Sequence, residues 1–141
     1  TPESLEAIYK TLKNSTNGSL ICILGSAGGG RDKWKRPAMG SVAASYCDAI
    51  ILTNEDPYDE DLVQIISEIK SGITVHGFSR EKVFEIFDRR DAIKKAVELA
   101  KVGDTIISTG KGSESWIHLK KGEKIAWNER SVFEEELKKP R

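Results

Sequence analysis

The chain has 141 residues, enough for about one domain with one sizeable core. Its 22 lysines and arginines balance 22 aspartates and glutamates, so no global field favours nucleic acid or an anionic membrane as partner. With 38% hydrophobic and 31% charged residues the composition is that of a soluble globular protein, and no apolar run approaches the roughly 18 residues of a membrane span or forms a signal peptide.

Thr1-Pro2-Glu3-Ser4 opens a helix: a capping hydroxyl, a first-turn proline and an early acid, followed by Leu5, Ile8, Tyr9 and Leu12 at helical spacing. Residues 14–18 read as a turn. Residues 19–24 form a continuous apolar run, which predicts a strand buried on both faces, as in a parallel sheet. A glycine- and cation-rich loop follows, and residues 37–46, small and apolar, predict a helix packed on that sheet. Residues 48–53 predict a second buried strand. Residues 54–61 lead as a loop into a helix with Leu62, Ile65, Ile66 and Ile69 on one face, ended by Gly72. Residues 73–75 predict a short third strand. Residues 91–102 predict an amphipathic helix, and 105–109 a fourth strand. Residues 116–119 and 124–127 flank a hairpin turn, and 129–139 predict a polar helix. Strands alternating with helices imply an α/β, Rossmann-like domain: a mostly parallel sheet, an antiparallel hairpin at one edge, and helices on both faces. No repeat or linker interrupts it. Cys22 and Cys47 both lie in apolar stretches, which predicts two free buried thiols and a cytoplasmic origin. The start at Thr1, rather than Met, suggests a piece of a longer chain.

Three loops follow three of these strands and so share one sheet edge, where open α/β sheets place their sites. They span residues 25–36, 54–61 and 110–114. Their cations are Arg31, Lys33, Lys35, Arg36 and Lys111, and their anions include Asp32, Glu55, Asp56 and Glu114. A mixed edge of this kind suits a zwitterion, its carboxylate on an arginine and its amine on a carboxylate, although loop charges are also often merely solvated. Glycines 28–30 allow close approach of backbone N–H groups to a ligand. The loop is not a P-loop, because Arg31-Asp32 follows Gly30 where Lys and a hydroxyl residue are needed. His76 and His118 have no partner at metal-ligand spacing, so no metal site is expected. Ser26, Ser108 and Ser113 lack a nucleophile pattern. Trp116 and Trp127 are expected to pack across the hairpin. Trp34 fits ligand contact and lid packing equally. Residues 88–91 read as a helix cap with solvated charges or as a nucleotide-touching loop.

These loops, in order, resemble the C-terminal domain of the Mur ligases, and among them those that add the third residue of the peptidoglycan stem peptide. The resemblance rests on Gly28-Gly29-Gly30-Arg31-Asp32-Lys33-Trp34-Lys35-Arg36-Pro37-Ala38-Met39-Gly40, on Glu55-Asp56-Pro57-Tyr58, and on Asp88-Arg89-Arg90-Asp91-Ala92-Ile93. It continues in Gly110-Lys111-Gly112-Ser113-Glu114 and Trp127-Asn128-Glu129-Arg130-Ser131-Val132, and so runs nearly end to end. It implies a single domain, 1–141, with the central ATPase and N-terminal UDP-binding domains outside this chain. The whole ligase would use ATP and Mg²⁺, held mainly by the central domain, to activate the D-glutamyl carboxylate of UDP-MurNAc-L-Ala-D-Glu as an acyl phosphate. The amine of an incoming amino acid then attacks, and phosphate leaves. This domain would close over the nucleotide and present the amino acid; alone it would be inactive and hold no catalytic residue.

By position, Arg31 would hold the amino acid's carboxylate, Glu55, Asp56 and Tyr58 would shape its distal end, and Gly112 and Glu114 would meet its far groups. Lys33, Arg36, Asp88 and Arg89 would face nucleotide or phosphate. The resemblance implies a cytoplasmic enzyme, monomeric, with a diamino acid as its small-molecule substrate and neither nucleic acid nor membrane as partner. Four departures stand out: Tyr58 for Arg, Asp56 for Asn, Ser113 for His and Gly30 for Asp. Losing the arginine removes a charge-assisted pair with a distal carboxylate, roughly 1.5–3 kcal/mol, which favours L-lysine over meso-diaminopimelate; Asp56 adds an anion for a distal ammonium. A folylpolyglutamate-type or other sister ligase, and a stand-alone binding module, are the alternatives.

Overall fold

A computed structural model describes residues 1–30, 33–111 and 114–140. Its main sheet has four parallel strands in the order β3-β2-β1-β4. These are β1 (Leu20–Leu24), β2 (Ala49–Leu52), β3 (Val83–Glu85) and β4 (Thr105–Ser108). The central strand β1 is buried along all five residues, as its unbroken apolar run requires. In register, Ile21 lies beside Ala49 on one side and Ile106 on the other.

Alternation along the strands divides the core. Leu20, Cys22, Leu24, Ile50 and Leu52 face a layer built from α1 (Pro2–Ser15), α2 (Lys35–Tyr46) and α3 (Leu62–Val75). Ile21, Ile23 and Ile51 face α4 (Arg89–Leu99) and α5 (Glu129–Lys138) through Ala92, Ile93, Ala96, Val97 and Val132. Four of the five described α-helices start on side-chain caps, α2 being the exception: Thr1 accepts from the Ser4 N–H, Asp61 from Val63, Asp88 from Asp91 and Asn128 from Ser131. Among the described residues no helix is long and apolar enough to cross a membrane.

The structure corrects four expectations. Residues 73–75 are the last turn of α3, not a strand, and the third strand is Val83–Glu85. The β-branched run Ile73-Thr74-Val75 has strand propensity, but Ile65, Ile66, Ile69 and Ile73 share one buried helical face while Val75 is exposed. Gly72 therefore lies inside α3. The helix ends at His76 and Gly77, whose φ of 67° suits glycine. Second, the hairpin is no edge of the main sheet: β5 (Trp116–His118) and β6 (Lys124–Ala126) form a sheet of their own. Third, Trp116 and Trp127 do not pair across it. Trp116 stands opposite Ala126 with Lys124 over its ring, while Trp127 packs on the α4–α5 core and donates to Glu129 at 2.8 Å.

Fourth, Cys22 and Cys47 form a disulfide instead of two free thiols. The crossover returns α2 over β1, so the middle of that strand and the residue capping α2 have Cα atoms 6.2 Å apart. A separation of 25 residues shows nothing of this in the sequence.

Candidate functional site

The three loops that were expected to share an edge do meet at the carboxyl ends of β1, β2 and β4. A cleft of ≈ 480 Å³ opens there, lined by Gly25, Ser26, Ala27 and Gly28 of the first loop, Glu55 and Tyr58 of the second, and Thr109 and Gly110 of the third. The facing wall carries apolar Pro2, Leu5 and Ile8 of α1 and Met39 of α2, with polar Thr1 and Ser4 and the cation Lys35 among them. Sequence reasoning missed this wall, because it grouped Ile8 with Leu5, Tyr9 and Leu12 at helical spacing, whereas Leu5 and Tyr9 are buried and Ile8 is exposed.

The glycines serve the loops as much as a ligand. A Cβ at Gly28 would fall 1.9 Å from the Pro57 carbonyl oxygen, and one at Gly110 would fall 1.9 Å from the Glu55 carboxylate. Their absence lets the first and third loops close onto the second. Gly28 N–H also donates to the Asp56 carbonyl at 2.8 Å.

Glu55 lines the cleft. Burial pushes its carboxyl above the ordinary range; Arg89 opposes this, Asp56 adds to it, Lys111 opposes it and Glu114 adds to it. Glu114, exposed, thus shares the electrostatic surroundings of Glu55. Asp56 is spent internally, since both its oxygens accept from Lys111 at 2.7 Å and Oδ1 also accepts from the His118 N–H at 2.9 Å. It offers no free anion to a distal ammonium, contrary to the expectation from sequence. Tyr58 is exposed at the cleft, its ring stacked on His118 with centroids 5.3 Å apart. Arg31 and Gly112 lie outside the described residues, as do Asp32 and Ser113.

The four residues expected to face nucleotide divide. Lys33 is exposed, 3.7 Å from Glu60. Trp34 is exposed rather than packed, with Lys35 over its ring. Arg36, by contrast, is fully buried. Its guanidinium donates to Glu60, to Glu68 at 3.1 Å and to the Ala27 carbonyl at 2.9 Å. The Arg36 fork, despite the cost of burial, with the Gly30 N–H and Lys33, holds the Glu60 carboxyl at about 2. Arg89 is likewise buried, bidentate on Glu129 at 2.9 and 2.7 Å, and it donates to the carbonyls of Asn54 and Thr109. Burial works against the Glu129 charge, but the Arg89 fork outweighs it and keeps that carboxyl below its usual range. Asp88 is the α4 cap.

Motifs that are remote in sequence are therefore single contacts in space. Arg89 meets Glu129, Arg36 of the first loop meets Glu60 of the second, and Lys111 of the third meets Asp56 of the second, so the first and third loops are each tied to the second through a buried cation. His76 lies elsewhere, against the Ser41 hydroxyl. Among the described residues no group of His, Cys, Asp and Glu is placed to hold a metal ion.

A family described as the glutamate ligase domain of Mur ligases matches residues 1–112. The chain is 42% identical over 137 residues to the UDP-N-acetylmuramoyl-L-alanyl-D-glutamate–2,6-diaminopimelate ligase of Aquifex aeolicus, covering 97% of this chain and 27% of that one. It is 43% identical over 129 residues to the UDP-N-acetylmuramyl-tripeptide synthetase of Deinococcus radiodurans, covering 92% and 26%. A solved structure of a UDP-N-acetylmuramoyl-L-alanyl-D-glutamate–2,6-diaminopimelate ligase superimposes with a TM-score of 0.87 at 34% identity, over 97% of this chain and 27% of that one. The chain spans about a quarter of the length of the relatives it matches.

Proposed function

The chain belongs to the Mur ligase family, as its glutamate ligase domain, and from that premise we propose that it is the amino-acid-presenting C-terminal domain of an ATP-dependent ligase. The ligase joins an incoming amino acid to the D-glutamyl carboxylate of UDP-MurNAc-L-Ala-D-Glu, as a single polypeptide and in the cytoplasm, a location that rests on the family and not on free thiols, which the Cys22–Cys47 disulfide replaces. Residues 1–141 are one domain of it, and the ATPase and UDP-binding domains are carried by the rest of that polypeptide.

One observation supports this reading above others: Glu55, Tyr58, Gly110 and the first loop line one cleft at the carboxyl edge of the sheet. The cleft joins an acidic side to an apolar wall, which suits an amino acid with an aliphatic chain. Glu55 and Glu114 attract the substrate's ammonium. Arg31, by its place in the resembling motif, takes the carboxylate, and Gly112, by its place there, meets the substrate's far groups. Tyr58 closes the distal end without charge. That favours L-lysine, or another diamine lacking a distal carboxylate, over meso-diaminopimelate. The names of the relatives favour diaminopimelate, and the assay below decides.

ATP supplies the activation of the carboxylate, with Mg²⁺ on its phosphates. The part this chain plays toward it rests on Lys33 and the exposed Trp34, because Nη1 and Nη2 of Arg36 and the Arg89 guanidinium bond carboxylates and carbonyls inside the protein, and the remaining Arg36 Nε–H is buried. Those two arginines, with Asp88, hold the loops in place rather than touching phosphate. No residue of this domain does the chemistry, so the domain alone is inactive.

The test is phosphate release by the full-length ligase with UDP-MurNAc-L-Ala-D-Glu and Mg-ATP, with L-lysine and meso-diaminopimelate supplied separately. Release with lysine alone is expected. Release with diaminopimelate alone keeps the ligase and refutes the role of Tyr58. No amino-acid-dependent release over a wider panel refutes the ligase.

A further inference from the structure

The second loop carries a turn in an unusual conformation. Asp56 and Tyr58, on either side of Pro57, have φ of 31° and 54°. A left-handed aspartate is tolerated, but a tyrosine there is an outlier that its surroundings must impose. Three backbone or side-chain anchors impose it. Gly28 N–H binds the Asp56 carbonyl, Tyr58 N–H donates to the His118 carbonyl at 3.2 Å, and Lys111 grips the Asp56 carboxylate.

Lys111 is the anchor that joins separate parts of the fold. Its side chain is 1% exposed. An ammonium has three donors, and here they meet Asp56 Oδ1, Asp56 Oδ2 and the Trp116 carbonyl, at 2.7, 2.7 and 2.8 Å. One side chain from the β4 loop thereby fastens both the turn and the start of the hairpin. The hairpin answers through His118, whose N–H binds Asp56 and whose ring carries that of Tyr58. A buried ammonium needs a counter-charge, and Asp56, standing where the resembling motif has Asn, provides it.

We propose that Lys111 is a positioning residue: by pairing with Asp56 it locks the Asp56-Pro57-Tyr58 turn to the β5–β6 hairpin and so fixes where the Tyr58 ring ends the amino-acid pocket. The proposal rests on reading the cleft as the amino-acid site. Substrate never touches Lys111, which acts only through the turn.

The experiment compares Lys111→Met, Asp56→Asn and the double variant in the full-length ligase. The double variant removes both charges at similar volume, so it folds without a lone buried charge even where Lys111→Met does not. Expected is a rise in KM for the amino acid of about tenfold or more, with KM for ATP and kcat little changed, because only ground-state placement is lost. A fall in kcat with the amino-acid KM unchanged in the double variant overturns the proposal, since a merely structural lysine would act that way. In the same protein carrying ¹³C-labelled histidine, the His118 ring protons are expected to lose the ring-current shift from Tyr58 in the double variant. An intact stack overturns Lys111 as the anchor, whether or not the unsubstituted protein proves to be a ligase. Loss of the stack in a protein without amino-acid-dependent turnover overturns instead the link to a substrate pocket.

Discussion

The sign of a Gly72→Ala substitution depends on whether α2 crowds that position of α3. In a helix interior alanine is favoured over glycine by about 1 kcal/mol, so an uncrowded Gly72 would stabilise on substitution. The structure puts the site in contact instead. A Cβ there would lie 1.8 Å from the Pro37 carbonyl oxygen and 2.7 Å from its carbon. Ordinary C···O contacts start near 3.3 Å, so α2 and α3 must separate by roughly 1.5 Å. The neighbour is backbone, and no rotamer change relieves it. Gly40 makes the reciprocal contact, its Cβ position 2.0 Å from the Ile69 carbonyl oxygen, so separation at one point loosens the whole interface over Ile65, Ile66, Ile69 and Ile73. Overpacking of this kind costs about 1–3 kcal/mol. With no side chain able to yield, the upper part of that range should outweigh the propensity gain. We expect a net loss of about 2 kcal/mol and a fall in Tm of roughly 6–10 °C for a chain of this size. Thermal and urea unfolding of the 141-residue chain, followed by far-UV circular dichroism, measure it. An unchanged or raised stability would refute the close α2–α3 contact at Gly72.

Tyr58→Arg should shift preference toward meso-diaminopimelate by about tenfold, the worth of one charge-assisted pair; an unchanged ranking in kcat/KM counts against the pocket. Glu55→Gln should stabilise the fold increasingly as pH rises. The folded state holds the Glu55 proton more tightly than the unfolded chain does, so the native glutamate's contribution is present at low pH and lost as pH climbs from 4.5 through its raised value. Unfolding midpoints from pH 4 to 8 test this, and a pH-independent difference refutes it. The unfolded, unreduced chain should show no reactive thiol, and reduction should cost about 3 kcal/mol for a 25-residue separation. Two reactive thiols before reduction would reinstate free cysteines.

The alternation of apolar strands and amphipathic helices was enough, in sequence alone, to establish an α/β domain and to put three loops on one edge. The reason is that both signals are local: a run such as Leu20–Leu24 can only be buried on both faces, and the caps at Thr1, Asp61, Asp88 and Asn128 act within a single turn. Local reasoning misled at Ile73-Thr74-Val75, where strand propensity lost to a helical face already buried from Ile65 onward. It also identified the charged residues of the edge without their roles. Arg36 and Arg89 look identical in sequence to ligand-facing arginines, and only the fold shows them buried and paired with Glu60, Glu68 and Glu129. What tertiary structure alone decided are the contacts between residues far apart in the chain: Cys22 with Cys47, Lys111 with Asp56, and Arg89 with Glu129. Each depends on where a crossover returns the chain, a distance set by packing of whole elements rather than by the identity of neighbouring residues.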